Sequence, residues 1–455
     1  MSKVRQNVIG TTQSVCPHCL NIISAEKIKD GQDIFLRKVC PDHGEFSLIL
    51  WRGAPLMEDW VRPKIPYENP SPNSVSSKGC PFDCGLCPEH RQQTCTALLE
   101  ITNRCNLGCP FCFADSGDQT EDPEVSVIRT WYETLRSSGY TCNVQISGGE
   151  PTIRDDLDEI ISMGRSMGFR FIQLNTNGIR LASDVSYAKD LKESGLSSVF
   201  LQFDGLDDEI YLKLRGASLL ETKIRAVRNC ERCGLGVILV PTLVPGINTD
   251  DIGNIIRFAL ENLSVVRGVH FQPVSYFGRY PEKPADSSRL TLPELMRMIE
   301  AQTDGAIKTE NFLPPGCENS LCSFHGNFVL MPSGQLIPLT RGGSCGSFRE
   351  PEKAEVGACK AREFVAKNWG GVAPAYVCAN DSQYDMGYWD TLLSRSRTHL
   401  LCVSAMAFQD AWSLDLERLR DCCIHVVAGA GKIIPFCAYN LTGSNGKALY
   451  RKKAI

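Results

Sequence analysis

Twenty-two cysteines among 455 residues fall into short, spaced groups, and a thiolate is before all else a metal ligand. Two segments share the spacing CxxxCxxC. The run C-P-F-D-C-G-L-C holds Cys80, Cys84 and Cys87, and the run C-N-L-G-C-P-F-C holds Cys105, Cys109 and Cys112. With Gly108 and Pro110 between the thiols, the second loop can wrap three sulfurs around one 4Fe4S cube. The fourth iron then stays open to a small chelating molecule. Eight residues after Cys87 stands Cys95, so Cys80, Cys84, Cys87 and Cys95 are expected to hold a fully ligated auxiliary 4Fe4S cluster. A zinc site is the plainer alternative for the same residues.

Two further groups flank these. Near the N-terminus, C-P-H-C (Cys16, Cys19) and C-P-D-H-G (Cys40, His43) fit one tetrahedral Cys3His site. Sulfur-rich tetrahedral sites accept zinc or a rubredoxin-like single iron, and spacing does not choose between them. Toward the C-terminus, G-C-E-N-S-L-C, R-D-C-C-I-H and I-P-F-C are expected to bring Cys317, Cys322, Cys423 and Cys437 to a second auxiliary 4Fe4S cluster. Neighbouring side chains point apart, so Cys422 is the alternative to Cys423. Cys142, Cys230 and Cys233 read as structural; Cys345, Cys359, Cys378 and Cys402 have no assigned role.

The elements that must carry these residues follow from periodicity. Apolar runs at 96–101, 143–147, 169–175, 198–203, 236–243 and 266–273 read as strands, with helical patterns between them, including 121–138. Such alternation predicts an α/β fold with a parallel sheet and helices outside it. Polar runs close three of the strands: S-G-G-E-P at 147–151, N-T-N-G at 175–178 and Q-F-D-G at 202–205. Asn175, Asn177, Gln202 and Asp204 are therefore expected to face one cavity. A proline- and serine-rich stretch at 61–78 reads as a linker, and the pattern changes again past 275. The expected organisation is a metal-binding module at 1–60, a linker and cluster segment at 61–95, the α/β domain at 96–275 and a cysteine-rich C-terminal domain at 276–455.

Net charge is −4, and no basic block suited to tracking phosphates is present, so nucleic acid is not an expected partner. Without a hydrophobic signal core or a run of about 18 apolar residues, the chain is expected in the cytoplasm. Peripheral membrane contact stays open.

The loop from Thr102 to Phe113, with Phe111 before its last cysteine, resembles the signature of the radical SAM superfamily. The full layout, including F-Q-D-A from Phe408, D-L-E-R-L from Asp415 and P-F-C-A-Y-N from Pro435, resembles one group within it. That group comprises the tetraether lipid synthases and the pterin methyltransferase-like radical SAM proteins. The resemblance implies a partial (β/α)6 TIM-type barrel with its active site at the C-terminal strand ends. It implies a Cys105/Cys109/Cys112 cluster that binds S-adenosylmethionine and reduces it to release a 5'-deoxyadenosyl radical. Gly148, Gly149 and Glu150 would bind the methionine moiety, with Asn175, Asn177, Gln202 and Asp204 near ribose and carboxylate. A ferredoxin- or flavodoxin-like reductant is implied as partner. The implied reaction is modification of an unactivated carbon, with carbon–carbon joining of lipid chains as the main reading and methylation of a pterin-like or other small molecule as the alternative. An iron-sulfur electron carrier is the non-enzymatic alternative, but it has no use for an open iron beside Gly149, Glu150 and Asn175.

Overall fold

A computed structural model of the chain describes residues 7–69, 76–117, 121–139, 141–340, 350–371 and 387–451. Cys345 and Cys378 lie outside the described residues. The N-terminal segment is a four-stranded antiparallel meander: β1 (Asn7–Val15), β2 (Ile22–Asp30), β3 (Asp33–Cys40) and β4 (Gly44–Trp51). Within the stretch read as a linker, β5 (Lys64–Ile65) pairs in parallel with β15 (Glu352–Lys353).

All six expected strands of the α/β domain form: β6 (Thr96–Thr102), β7 (Asn143–Gly148), β8 (Ile172–Thr176), β9 (Ser198–Gln202), β10 (Gly236–Val240) and β12 (Val266–Pro273). They pair in parallel, each beside its sequence neighbour. The run expected at 236–243 is cut by Pro241, which has no N–H for the ladder, and resumes as β11 (Thr242–Leu243). Helices α1 (Val125–Ser137), α2 (Leu157–Ser166), α3 (Ile179–Ser183), α4 (Val185–Glu193), α5 (Asp208–Arg215), α6 (Leu220–Arg232) and α7 (Ile252–Glu261) fill the crossovers. Helix α7 shows why they pack outside: Ile252, Ile255, Ile256 and Ala259 recur at i, i+3, i+4 and i+7 and are all buried against the sheet.

The sheet does not stop at six strands. Past α8 (Leu292–Gln302), β13 (Ser323–Leu330) and β14 (Leu336–Pro338) form a hairpin, and α9 (Ala354–Asn368) precedes β16 (Leu400–Met406). Strand β16 pairs in parallel with β12, while β17 (Ile424–Ala428) pairs in parallel with β6 and antiparallel with β18 (Lys432–Pro435). The strand order is β14-β13-β16-β12-β10-β9-β8-β7-β6-β17-β18. Both edges of the six-stranded barrel are thus covered by C-terminal chain, which satisfies backbone groups that an open edge would leave unpaired.

One buried carboxylate fixes that C-terminal chain. Asp410 accepts from Arg289 Nη2 at 2.9 and 2.8 Å, from Tyr276 N at 3.0 Å, and from Trp412 N and Ser413 N at 3.1 Å. The neighbouring segment docks the meander: Ser14 Oγ donates to Leu414 O at 2.6 Å, Lys38 Nζ donates to Ala411 O at 2.7 Å, and Lys27 pairs with Asp415 at 2.7 Å. Replacing Asp410 by Ala strands Arg289 as a buried, uncompensated cation. The expected cost is about 3–5 kcal/mol, read as a lowered thermal midpoint of the metal-loaded protein, and Asp410→Leu combined with Arg289→Met recovers only the part due to the stranded cation, because the amides of Tyr276, Trp412 and Ser413 stay unpaired.

Candidate active site and metal centres

The Cys105, Cys109 and Cys112 loop leaves the C-terminal end of β6 and is clamped by the chain beyond β12. Cys112 and Arg279 exchange backbone hydrogen bonds of 2.9 Å in both directions, and Arg279 Nε donates to Cys109 O at 2.9 Å. Gly278 permits this approach: its φ is +54°, and a Cβ there would stand 2.7 Å from the carbonyl oxygens of Cys112 and Phe113. Burial pushes the Cys105 thiol up to about 12, with Glu150 and the other two thiols adding to it. Cys109 is raised by burial too, opposed by Arg215. A bound iron centre would offset that cost, since it would take the three as thiolates and release their protons.

Below the loop the strand ends converge. Gly148 and Gly149 let β7 pass against β6, since a Cβ on either would stand 2.1 Å from a carbonyl oxygen, of Thr102 and Arg104 respectively. Glu150 is buried, its Oε1 accepting from Thr152 Oγ1 and Thr176 Oγ1 at 2.7 Å and its Oε2 from Asn177 N at 2.7 Å. Asn175 donates to Ser147 Oγ at 3.4 Å and leaves Oδ1 buried without a partner. Asn177 is held at both ends, by Asn106 Oδ1 at 2.7 Å and Ile179 N at 3.0 Å. Lys223, fully buried on α6, donates to Asn177 O at 2.5 Å and to Gln202 Oε1 at 3.2 Å. An ammonium can only donate, so Gln202 must turn its NH2 toward the cavity. Burial lowers Lys223 to about 8, and Asp204 opposes the shift.

Asp204 departs from expectation. Rather than facing the cavity, it is wholly buried and accepts from Arg215 Nε and Nη2, both at 2.7 Å, and from Thr242 N at 3.0 Å. Arg215 also donates to Phe111 O at 3.4 Å, and its charge acts to lower the Cys109 thiol against the effect of burial.

A single cavity of about 590 Å³ touches Cys105, Cys109 and Cys112 together with Gly148, Gly149, Glu150, Asn175, Asn177 and Gln202. Gln145, Gln173, His270 and Ser404 line its middle, where Gln145 Nε2 donates to Gln173 Oε1 at 2.7 Å and His270 Nδ1 meets Ser404 Oγ at 2.8 Å. Burial lowers His270 to about 4, so its ring is neutral at physiological pH. Phe200 and Trp369 stack there at 6.0 Å. The cavity continues to Cys95, Cys317, Glu318 and Cys423.

The remaining thiols group differently from their sequence order. Cys16, Cys19, Cys40 and His43 do converge, all four donor atoms within 4.8 Å, with His43 Nδ1 at 3.4 Å from Cys40 Sγ and 3.6 Å from Cys16 Sγ. Contact with His43 draws the Cys40 thiol down to about 7. Cys95, expected beside Cys80, Cys84 and Cys87, instead joins Cys317 and Cys423 within 4.8 Å. Its place is set by β6: Cys95 N donates to Cys423 O at 2.8 Å and Cys95 O accepts from Asn143 N at 2.9 Å. Cys322 and Cys437 are not in that group. Cys322 Sγ accepts from Arg418 Nη2 at 3.4 Å, and Cys437 shares an apolar cluster with Cys84, against which Cys80 packs.

Arg215, Lys223, Arg279 and Glu318 escaped the reading of the sequence. Lys223 had a visible signal: it sits at i−3, i−4 and i−7 from Ala226, Val227 and Cys230 and so interrupts the apolar stripe of α6. The others depend on long-range contacts. Arg215→Met is expected to leave Asp204 unpaired and to cost about 3–5 kcal/mol. Iron retained per chain after anaerobic gel filtration should fall, whereas Arg215→Met with Asp204→Leu should regain stability without regaining the positive charge beside Cys109.

The chain matches the model of the radical SAM superfamily over residues 99–259 and that of the HMPTM N-terminal zinc ribbon domain over residues 8–52. It is 38% identical to the 7,8-dihydro-6-hydroxymethylpterin dimethyltransferase of Methanocaldococcus jannaschii, covering 94% of this chain and 93% of that protein. A probable GTP 3',8-cyclase of the same organism is 30% identical over 39% of this chain and 58% of its own length. Among solved structures, Streptococcus suis SuiB bound to S-adenosylmethionine aligns with a TM-score of 0.37 at 20% identity, covering 47% of this chain and 48% of that one. This chain belongs to the radical SAM superfamily and, within it, to the family of the Methanocaldococcus jannaschii 7,8-dihydro-6-hydroxymethylpterin dimethyltransferase.

Proposed function

We propose that this radical SAM enzyme is a methyltransferase that acts on a carbon of a pterin-like small molecule. The observation that carries the reading is the 38% identity extending along nearly the whole of both chains. The cavity is chemically compatible: a planar heterocycle needs amide-type partners at its edge and rings at its face, as Gln145, Gln173, Phe200 and Trp369 offer. When bound, a 4Fe4S cluster and S-adenosylmethionine supply one electron and a carbon radical able to take hydrogen from an unactivated carbon.

In this reading Cys105, Cys109 and Cys112 hold that cluster. Gly148 and Gly149 admit the methionine moiety, Glu150 accepts its ammonium, and the unpartnered Oδ1 of Asn175 takes a ribose hydroxyl or the same ammonium. Asn177 keeps the backbone of this wall in place, and Gln202 donates to a carboxylate or hydroxyl. Cys16, Cys19, Cys40 and His43 hold one zinc or one iron, a set supported by the ribbon match. Auxiliary clusters are divided between the thiols of Cys80, Cys84 and Cys87, with Cys322 or Cys437, and the group around Cys95. A small iron-sulfur or flavin protein is the reductant. The module boundaries at 60, 95 and 275 belong to the same proposal. Among the described residues no helix is long and apolar enough to cross a membrane.

A second reading, the joining of lipid chains, is favoured by the phenylalanines that line the cavity beside the loop: Phe111, Phe113, Phe277, Phe408 and Phe436. The two readings separate in one anaerobic assay. Reconstituted protein with dithionite and S-adenosylmethionine is offered 6-hydroxymethyl-7,8-dihydropterin or a phospholipid with saturated chains, and products are followed by mass spectrometry. Expected is a methylated pterin with 5'-deoxyadenosine and S-adenosylhomocysteine, one S-adenosylmethionine giving the hydrogen-abstracting radical, a second the methyl group and dithionite the two electrons, with all three products lost in Cys105→Ala/Cys109→Ala/Cys112→Ala. A cross-linked lipid with untouched pterin would replace the first reading by the second.

A further inference from the structure

The far end of the cavity holds a ligand set that spacing did not anticipate. Cys95 immediately precedes β6 and Cys423 immediately precedes β17, and the parallel register that sets Ile424 beside Thr96 brings the two thiols together. The loop before β13 delivers the third: Gln92 Nε2 donates to Cys317 O at 2.5 Å, and Cys317 Sγ stands 2.8 Å from Cys95 Sγ. Helix α9 presses on this loop so closely that a Cβ at Gly357 would stand 2.0 Å from Gly316 O, and Ala358 O accepts from Cys95 Sγ at 3.2 Å. The three cysteines are only 5, 3 and 2% exposed for Cys95, Cys317 and Cys423. In a tetrahedral site with metal–sulfur bonds of about 2.3 Å, sulfurs lie about 3.8 Å apart. Cys95 and Cys317 stand about 1 Å closer than that, so a bound ion would spread these two sulfurs while the three cysteines supply three of its four corners.

The other cysteines nearby are engaged elsewhere. Cys322 Sγ faces Arg418, Cys422 Sγ donates to Ile424 O at 3.2 Å, Cys437 Sγ accepts from Gln409 N at 3.3 Å, and Cys359 Sγ donates to Glu363 Oε1 at 3.4 Å. Glu318 is placed otherwise. Its Oε1 is tied to Ser323 Oγ, which leaves Oε2 directed at Cys423 Sγ, 3.6 Å away, and the side chain lines the cavity. We propose that the Glu318 carboxylate, and not a fourth cysteine, completes an iron centre held by Cys95, Cys317 and Cys423. Only the three sulfurs lie within 4.8 Å of one another, and Glu318 Oε2 stands beside this group, nearest Cys423; a cation that takes the cysteines as thiolates would have the carboxylate within reach as its fourth ligand. An oxygen ligand is also harder and more readily exchanged than a thiolate, so the centre keeps one replaceable position on the cavity side. The assignment rests on these thiols holding iron and is independent of which substrate the enzyme takes.

The test uses full-length protein prepared anaerobically, in a Cys105→Ala/Cys109→Ala/Cys112→Ala background that removes the signal of the radical-generating loop. Iron and acid-labile sulfide are counted, and the reduced protein is examined by electron paramagnetic resonance and iron X-ray absorption. Adding Cys95→Ser/Cys317→Ser should remove one centre: one iron and no sulfide for a single ion, or about four of each for a cube. Glu318→Gln should keep the iron while shifting the resonance spectrum and weakening the oxygen shell, and Glu318→Cys should give an all-sulfur shell. Unchanged iron in the Cys95/Cys317 variant, or a Cys95–Cys317 disulfide in the anaerobic protein, would overturn the site. An unaltered spectrum in both Glu318 variants would overturn the carboxylate ligand while leaving the methyltransferase reading intact.

Discussion

The structure hangs on the pairing of β6 between β7 and β17. One seven-residue strand, roughly 20 Å long, separates Cys95 at its start from the Cys105 loop just past its end. A register slip by one residue would turn every side chain of β6 to the opposite face and move both thiol groups at once. Register is held because Ala97, Leu99 and Ile101 are wholly buried on the helix-facing side, while Thr96, Leu98 and Glu100 alternate with them. The hydrophobic packing of a single strand thereby fixes the distance between the two thiol groups at the ends of one cavity.

Charged groups then do what apolar packing cannot. Around the loop, Arg154 donates to Ile101 O at 2.8 Å and Pro123 O at 2.9 Å, Arg215 locks Asp204, and Arg451 pairs with Glu100 while lying 5.9 Å over the ring of Phe113. Each guanidinium ties a strand end to chain distant in sequence. Planar forks suit this task, because several fixed N–H groups can satisfy carbonyls and carboxylates together. Burying such pairs is a poor route to stability in itself, but it imposes geometry. Arg451, the last described residue, shows the reach of that constraint, since it pairs with Glu100 on the first barrel strand.

Legibility in the sequence followed the range of the interactions involved. The six strands were readable because apolar runs are local, and the Cys16, Cys19, Cys40 and His43 set was readable because two short turn-bearing pairs, C-P-H-C and C-P-D-H-G, carry its ligands. Helix α1 also appears, although it begins at Val125, after the Pro123 turn. Cys95 was misplaced for the opposite reason. Proximity in sequence suggested Cys87, whereas strand pairing across more than three hundred residues selected Cys423. Asp204 was misread because a polar residue at a strand end looks the same whether it faces a ligand or a buried arginine. Nor could periodicity show that β16 and β17 would close the edges of the barrel, since an apolar strand carries no mark of its partner.

Closing those edges has a chemical consequence. A carbon radical survives only where water and stray hydrogen donors are kept away, so the cavity must be sealed along its sides as well as at its mouth. An open six-stranded sheet would expose unpaired backbone amides at β6 and β12. With β17 and β16 added, those amides are paired, and Phe324 and Phe436 stand on or beside the added strands. The loop end is covered by Phe113, whose ring meets Phe436 at 5.7 Å beneath the Arg451 guanidinium. Cysteine-rich C-terminal chain therefore serves two ends together: it brings thiols to the far end of the cavity, and it makes the walls between the two ends continuous.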